Sequence, residues 1–280
     1  MRAAGRMLVL LTLIGLALLT GGYATATADP AVRRASIPLP GWPKGARPVR
    51  VLLISDIHVA GPDMPPSRLA RLVGQMNALS PDLVMIAGDL VSDKRPSTRR
   101  YGLREAVAPL AGLRAPLGRI AVLGNHDHWR DAAEARAALA ATGIRLLDND
   151  AVAAGPLAVG GLDDAFTDQD DLPATLARMR ALPGARILLS HSPDPFAELP
   201  ADVPLMLAGH THCGQLVLPL VGALETASDF GDRYVCGLVR EGGRTLVVGA
   251  GLGTSIVPLR AGARPELWLL ELGPRPAAPR

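Results

Sequence analysis

The N-terminal half of the chain alternates between short apolar runs and segments with helical spacing, and this alternation restricts the fold more than any other feature. The apolar runs cover residues 49–54, 83–87 and 120–123, and each has the length of a buried strand. Between the first two runs, Pro65 and Pro66 mark a helix start, and apolar residues then recur at three- and four-residue spacing. Connections that hold a helix allow neighbouring strands to be parallel, so the sequence predicts an α/β fold.

Each of these predicted strands ends in residues that can bind a metal ion or transfer a proton. Asp56 and His58 follow the first strand, Asp89 follows the second, and Gly124-Asn125-His126-Asp127-His128 follows the third. In open parallel sheets, ligands bind at the carboxyl ends of the strands. We therefore expect the three clusters to share one site.

The other histidines follow two later apolar runs, at residues 186–189 and 205–208. The first run leads to His191, and the second leads to His210 and His212, whose side chains project to the same side of an extended chain. Taken singly, such residues have structural explanations, because an aspartate often caps a turn and an isolated histidine is commonly a hydrogen-bonded core or surface residue. All six histidines of the chain nevertheless lie at or near a predicted strand end, which favours a shared chemical role.

The candidate ligands are carboxylates, an amide and imidazoles, without a thiolate. Such a mixed nitrogen and oxygen set suits Mn, Fe, Co or Zn and argues against a structural zinc site rich in cysteine. Seven candidates exceed the needs of one tetrahedral ion, but they fit two divalent metal ions about 3.5–4 Å apart that share a carboxylate. A hydrolase with a single ion is the alternative. The seven candidates are Asp56, His58, Asp89, Asn125, His191, His210 and His212.

Taken together in chain order, these clusters resemble the five sequence motifs of the calcineurin-like metallophosphoesterase family, over residues 49–272. The resemblance implies an α/β fold built as a four-layer αββα sandwich with two mixed central β-sheets. It also implies hydrolysis of a phosphoester, which can be a mono-, di- or pyrophosphate ester, by a metal-bound hydroxide. The motifs are Asp56-Ile57-His58, Gly88-Asp89, Gly124-Asn125-His126-Asp127, His191 and Gly209-His210-Thr211-His212.

The same resemblance implies a role for individual residues. His126 would be the catalytic residue, because it would donate a proton to the leaving oxygen or stabilise the charge of the phosphoryl group. His128 receives no role, and we expect either a surface histidine or one that supports the site without binding metal. One ion would be bound by Asp56, His58 and His212, the other by Asn125, His191 and His210, with Asp89 bridging the two.

The sequence departs from the family pattern at two places. Cys213 stands where relatives usually have glycine, and it either forms a disulfide with Cys236 or remains a separate buried thiol. Ser92 stands where many relatives have a second carboxylate, and Asp93 follows one position later. That carboxylate normally orients the catalytic histidine, so the sequence leaves open which group orients His126.

Residues 1–28 form a separate apolar segment. Two arginines precede an uncharged run over residues 7–28, which fits either a cleaved signal peptide or a membrane anchor. The motifs at residues 209–215 and 251–255 resemble a bacterial subgroup of the family that has an N-terminal transmembrane segment. We therefore expect a membrane-anchored protein that contacts lipid through this segment, with an extracytoplasmic catalytic domain. A secreted or periplasmic protein is the alternative.

The other parts of the chain carry less information. Residues 29–48 contain five prolines and predict a Pro-rich extended tether, and residues 273–280 are expected to be a loose tail after the metallophosphoesterase domain. The net charge of +3 comes mostly from scattered arginines, and aromatic residues make up only 3% of the chain. Nucleic-acid binding is therefore not expected. We also expect the protein to be a monomer.

The substrate is the least constrained feature. The subgroup is often linked with hydrolysis of UDP-2,3-diacylglucosamine in lipid A biosynthesis, and an anchored domain suits a lipid-linked substrate. Against this, the sequence has no spare helical segment for a lid over acyl chains, and an exported domain would face away from a cytosolic nucleotide. Loops 92–98, 163–171 and 219–233 are expected to line the pocket, with Arg233 as either a phosphate contact or a solvated residue. The alternative function is a non-catalytic binding scaffold at the membrane, although the complete set of candidate ligands favours an enzyme.

Overall fold

The computed structural model describes residues 2–275, and two six-stranded β-sheets form its centre. The first sheet contains, in spatial order, Ala31–Leu39 (β1), Glu266–Pro274 (β14), Val49–Ser55 (β2), Leu83–Ala87 (β3), Arg119–Val122 (β4) and Arg145–Leu146 (β5). The second contains Gly237–Glu241 (β12), Arg244–Val248 (β13), Leu205–Ala208 (β9), Ala185–Leu189 (β8), Leu157–Gly161 (β7) and Asp150–Ala154 (β6). Val217–Leu218 (β10) and Gly222–Ala223 (β11) form a separate hairpin.

Both sheets are mixed, and β2, β3 and β4 are parallel, as the helix-length connections between them predict. In the first sheet, β2, β3, β4 and β5 are parallel, whereas β14 is antiparallel to β2. In the second sheet, β7, β8, β9 and β13 are parallel, whereas β6 and β12 are antiparallel to their neighbours. Strand β14 continues past residue 272 to Pro274, and residues 276–280 of the expected tail lie outside the described residues.

Strand residues alternate between two apolar cores, as expected for side chains that point to opposite faces of a sheet. In β2, Val51 and Leu53 pack with residues of the second sheet, whereas Leu52 and Ile54 pack with helices. The layer order is helix, sheet, sheet, helix, which confirms the fold class that the resemblance implies. The helices over the first sheet are Pro66–Ala78 (α2), Leu103–Val107 (α3) and Asn125–Ala141 (α4), and Leu172–Arg180 (α5) covers the second sheet.

The polar cluster after β4 is helical, whereas the Ala-rich pattern of the sequence predicts a helix only from Asp131 to Thr142. Helix α4 begins at Asn125, directly after Gly124 in extended conformation (φ −118°, ψ 177°). Asp131 interrupts the helix with φ −178° and ψ 99°, and its carboxylate accepts a hydrogen bond from the Glu134 amide at 2.9 Å. The predicted start is therefore a kink inside a longer helix, at which Asp131 caps the second part.

The expectation of an extended tether over residues 29–48 is wrong for the segment Ala31–Leu39, which is a strand. This strand pairs in parallel with β14 at the edge of the first sheet. Ile37 and Leu39 are buried in the core between the sheets. Pro38 is compatible with the strand because an edge strand has one side without a hydrogen-bonding neighbour.

The N-terminal segment Arg2–Thr27 (α1) is a single helix, and most of its side chains are exposed. Within residues 2–275 it is the helix that is long and apolar enough to cross a membrane. Its C-terminal end packs onto the domain, because Ala26 is fully buried and the Gly22 carbonyl accepts a hydrogen bond from the Arg260 amide at 3.0 Å. The helix is therefore suited to membrane association and is joined closely to the sheets.

Candidate metal centre

The seven candidate ligands predicted from the sequence lie together where the carboxyl ends of five parallel strands meet. All seven side chains are buried, because both sheets and the connecting loops close around them. The structure therefore brings the predicted set into one place. The ligands are Asp56 and His58 after β2, Asp89 after β3, Asn125 after β4, His191 after β8, and His210 and His212 after β9.

Left-handed backbone conformations turn many of these side chains into the site. Residues other than glycine seldom adopt positive φ, and each such residue costs about 1–3 kcal/mol. Strained positions of this kind concentrate at functional sites, so their occurrence at successive strand ends supports a functional role for the cluster. The residues concerned are Asp56 (φ 47°), His58 (φ 50°), Asp89 (φ 55°), His210 (φ 73°) and His212 (φ 52°).

Gly88 allows the ends of β3 and β4 to approach each other closely. Its φ is +72°, and a Cβ atom at this position would lie 2.7 Å from the Gly124 amide nitrogen and 2.8 Å from His191 Nδ1. Any side chain here would push the next strand end and a candidate ligand apart. The sequence pair Gly88-Asp89 is thus explained by packing as well as by chemistry.

Asp56, His58 and His212 form the first group of candidate ligands. Nε2 of His58 lies 2.9 Å from Nε2 of His212, and Asp56 Oδ1 lies 3.6 Å from the same atom of His212. Burial holds the pKa of His58 and of His212 well below the usual value, so both rings are neutral and can offer a lone pair. Two neutral ring nitrogens that converge beside a carboxylate are a suitable arrangement for a divalent cation.

Asn125, His191 and His210 form the second group. Nε2 of His191 lies 3.0 Å from Asn125 Oδ1 and 3.0 Å from His210 Nδ1. Nδ1 of His191 lies 2.8 Å from the carbonyl oxygen of Ala87 and donates to it, so Nε2 is the nitrogen that faces the site. Burial lowers the pKa of His210 to about 3, and its Nε2 has no hydrogen-bond partner among residues 2–275.

Asp89 lies between the two groups. Its Oδ2 is 3.3 Å from His58 Nε2 in the first group and 3.4 Å from His191 Nε2 in the second. Burial raises the pKa of Asp89, but His191 and His58 lower it by more, so the carboxylate is ionised. Its Oδ1 accepts a hydrogen bond from the His126 amide at 2.9 Å, which fixes the carboxylate against the first turn of α4. One oxygen of Asp89 is thus free to face both groups at once.

His126 lies beside the two groups and at the wall of the pocket. Its ring contacts that of His58 at 4.8 Å between centroids, and its Nε2 lies 3.3 Å from the Ser255 hydroxyl. The Asp93 carboxylate lies 3.8 Å from its Nδ1, and Arg130 Nε donates to that carboxylate at 2.9 Å. The sequence left open which group orients His126, and Asp93 rather than Ser92 is the side chain that faces its ring.

Sequence reasoning missed two buried residues that support the site. Asp127 accepts hydrogen bonds from the amides of Leu90 at 2.9 Å and Gly124 at 3.1 Å, and burial raises its pKa to about 7. Arg260 lies 3.2 Å from His212 Nδ1, and burial lowers its pKa to about 10. Asp127 belongs to a motif and could have been found, whereas Arg260 stands in a loop without any sequence signal.

A buried ion pair, also missed, connects two loops at the pocket. Lys94 Nζ lies 2.5 Å from Asp63 Oδ1 and 2.9 Å from the Thr254 hydroxyl oxygen. That hydroxyl donates to Asp63 Oδ2 at 2.8 Å. Both charged side chains are fully buried, so this pair holds the loops that follow β2, β3 and β13 in a fixed arrangement.

His128 does not contact the candidate ligands. Its Nε2 lies 2.8 Å from Asp163 Oδ1, and its side chain is 12% exposed. Asp163 also bonds Arg136 at 3.4 Å, so His128 belongs to a charged network at the start of the loop after β7. This position agrees with the expectation that His128 plays no direct part in binding metal.

A pocket of about 640 Å³ opens over the centre, and much of its wall is apolar. The Trp129 ring contacts His126 at 4.9 Å, and the Phe166 ring contacts His210 at 4.6 Å. All three loops expected at the pocket contribute to its lining. Arg233 does not line it, because its guanidinium pairs with Glu241 and the side chain is half exposed.

A disulfide closes the loop beside the candidate ligands. Cys213 and Cys236 are bonded, with their Cα atoms 4.7 Å apart, so the structure contains the bridge rather than two separate thiols. Cys213 directly follows the candidate ligand His212 and has a φ of 51°. The bridge therefore connects the turn after β9 to the segment before β12.

Comparisons with known proteins agree with the geometry. The chain is 32% identical over 239 residues to the "Uncharacterized metallophosphoesterase YkuE" of Bacillus subtilis, and the alignment covers 82% of this chain and 81% of that protein. It is 35% identical over 237 residues to the "Phosphodiesterase YaeI" of Escherichia coli, and the alignment covers 81% of this chain and 83% of that protein.

A longer animal relative is also similar. The "Transmembrane protein with metallophosphoesterase domain" of Danio rerio is 32% identical over 280 residues, and this chain spans 62% of its length. The family model for calcineurin-like phosphoesterases matches residues 49–214, more than half of the chain. This match covers every candidate ligand and His126. The chain therefore belongs to the calcineurin-like phosphoesterase family.

Proposed function

We propose that this protein is a phosphoesterase that hydrolyses a phosphoester with two divalent metal ions. The position of Asp89 carries the proposal, because one of its carboxylate oxygens lies within 3.4 Å of a ring nitrogen in each of the two ligand groups. A carboxylate shared by two groups of nitrogen and oxygen donors is the arrangement that a pair of ions requires. A site for a single ion would not need both groups.

The residues present fit such ions. His58, His210 and His212 are neutral because burial lowers the pKa of each ring, as a metal-ligating histidine requires. Mn, Fe, Zn or Co suit this donor set. When bound, the ions would supply a hydroxide at neutral pH and neutralise phosphate oxygens. We assign Asp56, His58 and His212 to one ion, Asn125, His191 and His210 to the other, and Asp89 to both.

His126 would act on the leaving group. Its Nε2 lies beside Ser255 at the pocket wall, outside both ligand groups, so the ring can reach a substrate oxygen in the pocket. Asp93 faces Nδ1 and would hold the ring with Nε2 turned towards the substrate. A proton donated from Nε2 would neutralise the oxygen that leaves phosphorus.

The substrate proposed is a mono-, di- or pyrophosphate ester, including a lipid-linked one such as UDP-2,3-diacylglucosamine. Apolar pocket walls from Trp129 and Phe166 and the helix suited to membrane association support a substrate with an apolar part. We also propose that the domain is monomeric and extracytoplasmic. The disulfide between Cys213 and Cys236 supports export, since such bonds persist in oxidising compartments.

The test uses the full chain, purified in detergent, stripped of metal and reconstituted with Mn²⁺, Zn²⁺, Co²⁺ or Fe²⁺. We expect about two ions per chain by mass spectrometry and hydrolysis of bis(p-nitrophenyl) phosphate. Asp89→Asn should lose at least one ion and nearly all activity, whereas Asp202→Asn, at a surface ion pair with Arg180, should lose neither. One ion per chain with full activity would favour a single-ion hydrolase, and no bound metal would favour a non-catalytic scaffold.

A further inference from the structure

One side of the pocket mouth carries exposed apolar side chains on two neighbouring segments. Leu220, at the tip of the β10–β11 hairpin, is fully exposed, and Val221 beside it is 69% exposed. Ile256 and Leu224, which also line the pocket, are 68% and 54% exposed. Exposed apolar groups that cluster in this way mark an interaction surface more often than scattered single residues do. We call these four residues the apolar rim.

The apolar rim is connected to the end of helix α1 through residues 255–261. On one side of this segment, the Arg260 amide donates to the Gly22 carbonyl at 3.0 Å, and Leu259 packs against Gly22. On its other side, the Val217 amide of the hairpin donates to the Ala261 carbonyl at 2.8 Å. The hairpin and the helix end thus contact opposite sides of residues 260–261.

The end of α1 is held firmly. Arg68, which is buried, donates to the carbonyls of Ala26 at 3.1 Å and Ala28 at 2.8 Å, in the part of a helix whose carbonyls otherwise lack partners. The Tyr23 hydroxyl donates to the Pro62 carbonyl at 3.4 Å. The domain therefore cannot move far from the point at which the helix ends.

The length of the uncharged run places that point at the membrane surface. Charges are absent from residues 7–28, and a helix needs about 20 residues to cross about 30 Å of hydrocarbon. A span that begins at Met7 therefore ends near Ala26, in the turn that packs on the domain. Leu259, Arg260 and the adjacent hairpin must then lie at the level of the lipid head groups.

We infer that the apolar rim inserts into the bilayer beside α1, so that the pocket opens towards the lipid. Insertion would bury apolar side chains that otherwise face water, and this burial stabilises the contact with lipid. The site would then receive phosphoesters held in the bilayer, an assignment of substrate class that rests on the proposed function. The occupant of the rim is lipid because residues 255–261 join the rim to the end of a helix suited to the membrane.

The first test measures contact with lipid and is independent of activity. Leu220→Trp is reconstituted as the full chain in phosphatidylcholine vesicles, with Ala181→Trp as the control, since Ala181 is exposed after α5 at the opposite edge of the sheets. Fluorescence of the wild-type protein, which contains three tryptophans, is subtracted. We expect brominated phosphatidylcholine to quench the added signal in Leu220→Trp several-fold more than in Ala181→Trp, and aqueous iodide to show the reverse.

Two results would overturn the inference. Quenching of Leu220→Trp by iodide but not by brominated lipid would show that the rim faces water. Protection from both quenchers would show that protein covers the rim, for example a second copy of the chain. Strong quenching by lipid with protection from iodide would support it.

The second test separates the rim from the chemistry. The double variant Leu220→Asp/Val221→Asp should hydrolyse soluble bis(p-nitrophenyl) phosphate within about two-fold of the wild type, because neither side chain lines the pocket. Hydrolysis of a chromogenic phosphodiester lipid in vesicles should fall at least ten-fold. Equal losses on both substrates, or no loss on the lipid, would overturn the inference. Failure of the wild type to hydrolyse either substrate would contradict the proposed function. The quenching measurement would still show whether the rim contacts lipid.

Discussion

The Asp93 carboxylate lies 3.8 Å from Nδ1 of His126, one residue after Ser92 in the chain. Arg130 holds Asp93 through Nε at 2.9 Å, so the carboxylate is fixed beside the histidine at the pocket wall. Ser92 turns its hydroxyl away from His126, towards the carbonyls of Thr254 and Ser255 at 3.4 Å and 3.3 Å. Of these two residues, Asp93 is thus the one whose side chain faces the His126 ring.

Asp93→Asn should lower kcat about 10- to 100-fold with little change in KM, because the ring of His126 loses its orientation while the ligand groups stay intact. The loss should be larger for a phenyl ester than for a p-nitrophenyl ester, since the poorer leaving group depends more on proton donation. Asp93→Glu should recover part of the activity. A uniform loss on both esters, or a lower metal content, would show that Asp93 acts on the fold instead.

Gly251→Ala should remove metal from the first ligand group. Gly251 has a φ of +74°, and a Cβ there would lie 2.4 Å from Cβ of Asp56, so the ligand must move. We expect loss of about one ion per chain by mass spectrometry. Gly243→Ala is the matched control, because Gly243 has a φ of +76° with open space around it. Equal metal loss in both variants would mean that backbone strain, rather than displacement of Asp56, is responsible.

Lys94→Met should destabilise the protein by about 3–5 kcal/mol, because the buried carboxylate of Asp63 would lose its partner. Lys94→Met combined with Asp63→Leu should recover most of this loss, since an apolar pair can replace a buried ion pair at little cost. Chemical denaturation in detergent micelles measures both free energies of unfolding. A double variant as unstable as the single one would show that the hydrogen bonds of Thr254, rather than the charges, hold these loops.

Removal of the disulfide should cost about 2–4 kcal/mol of stability, because the bridge joins residues 23 positions apart in the chain. Cys213→Ser/Cys236→Ser should be less stable than Cys213→Gly/Cys236→Ser by about 1 kcal/mol, because position 213 has a φ of 51° that glycine adopts without strain. Chemical denaturation of the two variants gives the difference. Equal stabilities would contradict a strained backbone at Cys213.

The ion pair between His128 and Asp163 should stabilise the protein only within a window of pH. The hydrogen bond to Asp163 raises the pKa of His128 above 6.5. The contribution of this ion pair to the free energy of unfolding is therefore complete below pH 6.5 and is lost as pH rises through the raised pKa. Burial raises the pKa of Asp163, but its bond to His128 and the other contacts lower it by more, to below 3.8. The contribution is therefore lost again as pH falls through that lowered pKa.

The free energy of unfolding of the wild type should exceed that of His128→Gln by about 1–2 kcal/mol between pH 4 and 6.5, and by less on either side. Taking the difference between two proteins at each pH cancels the effects of the metal centre that both share. Arg136 remains bonded to Asp163 in the variant, so the carboxylate is not left without a partner. A difference that does not vary with pH would show that His128 contributes through packing alone.

The parts of the fold that could be predicted are those with a local repeat in the sequence. Strands β2, β3 and β4 have continuous apolar runs because both of their faces are buried, and helix α2 shows its apolar face at regular spacing. The candidate ligands could be found because parallel strands bring their carboxyl ends to one edge. Strand β1 was missed because Pro38 and the prolines that flank the strand indicate loop, and only its pairing with β14, more than 200 residues away, makes it a strand.

Long-range contacts of single residues could not be predicted. Arg260 reaches His212, and Lys94 reaches Asp63, through loops whose paths depend on the whole fold. The helical turn before Asp131 is also invisible in the sequence, because residues 125–130 are mostly polar and show no apolar face. Motifs identify which residue types gather at the site, whereas the groups that orient them depend on tertiary packing.

The hydrogen bonds from Arg68 to the end of α1 affect how the enzyme would encounter its substrate. A domain fixed to a spanning helix without slack diffuses laterally and turns about the membrane normal, but it does not tumble. Its encounters with an ester dissolved in the bilayer are then two-dimensional. The rate of hydrolysis per protein molecule would follow the mole fraction of that ester among the lipids. Dilution of the vesicles in buffer would leave this rate unchanged.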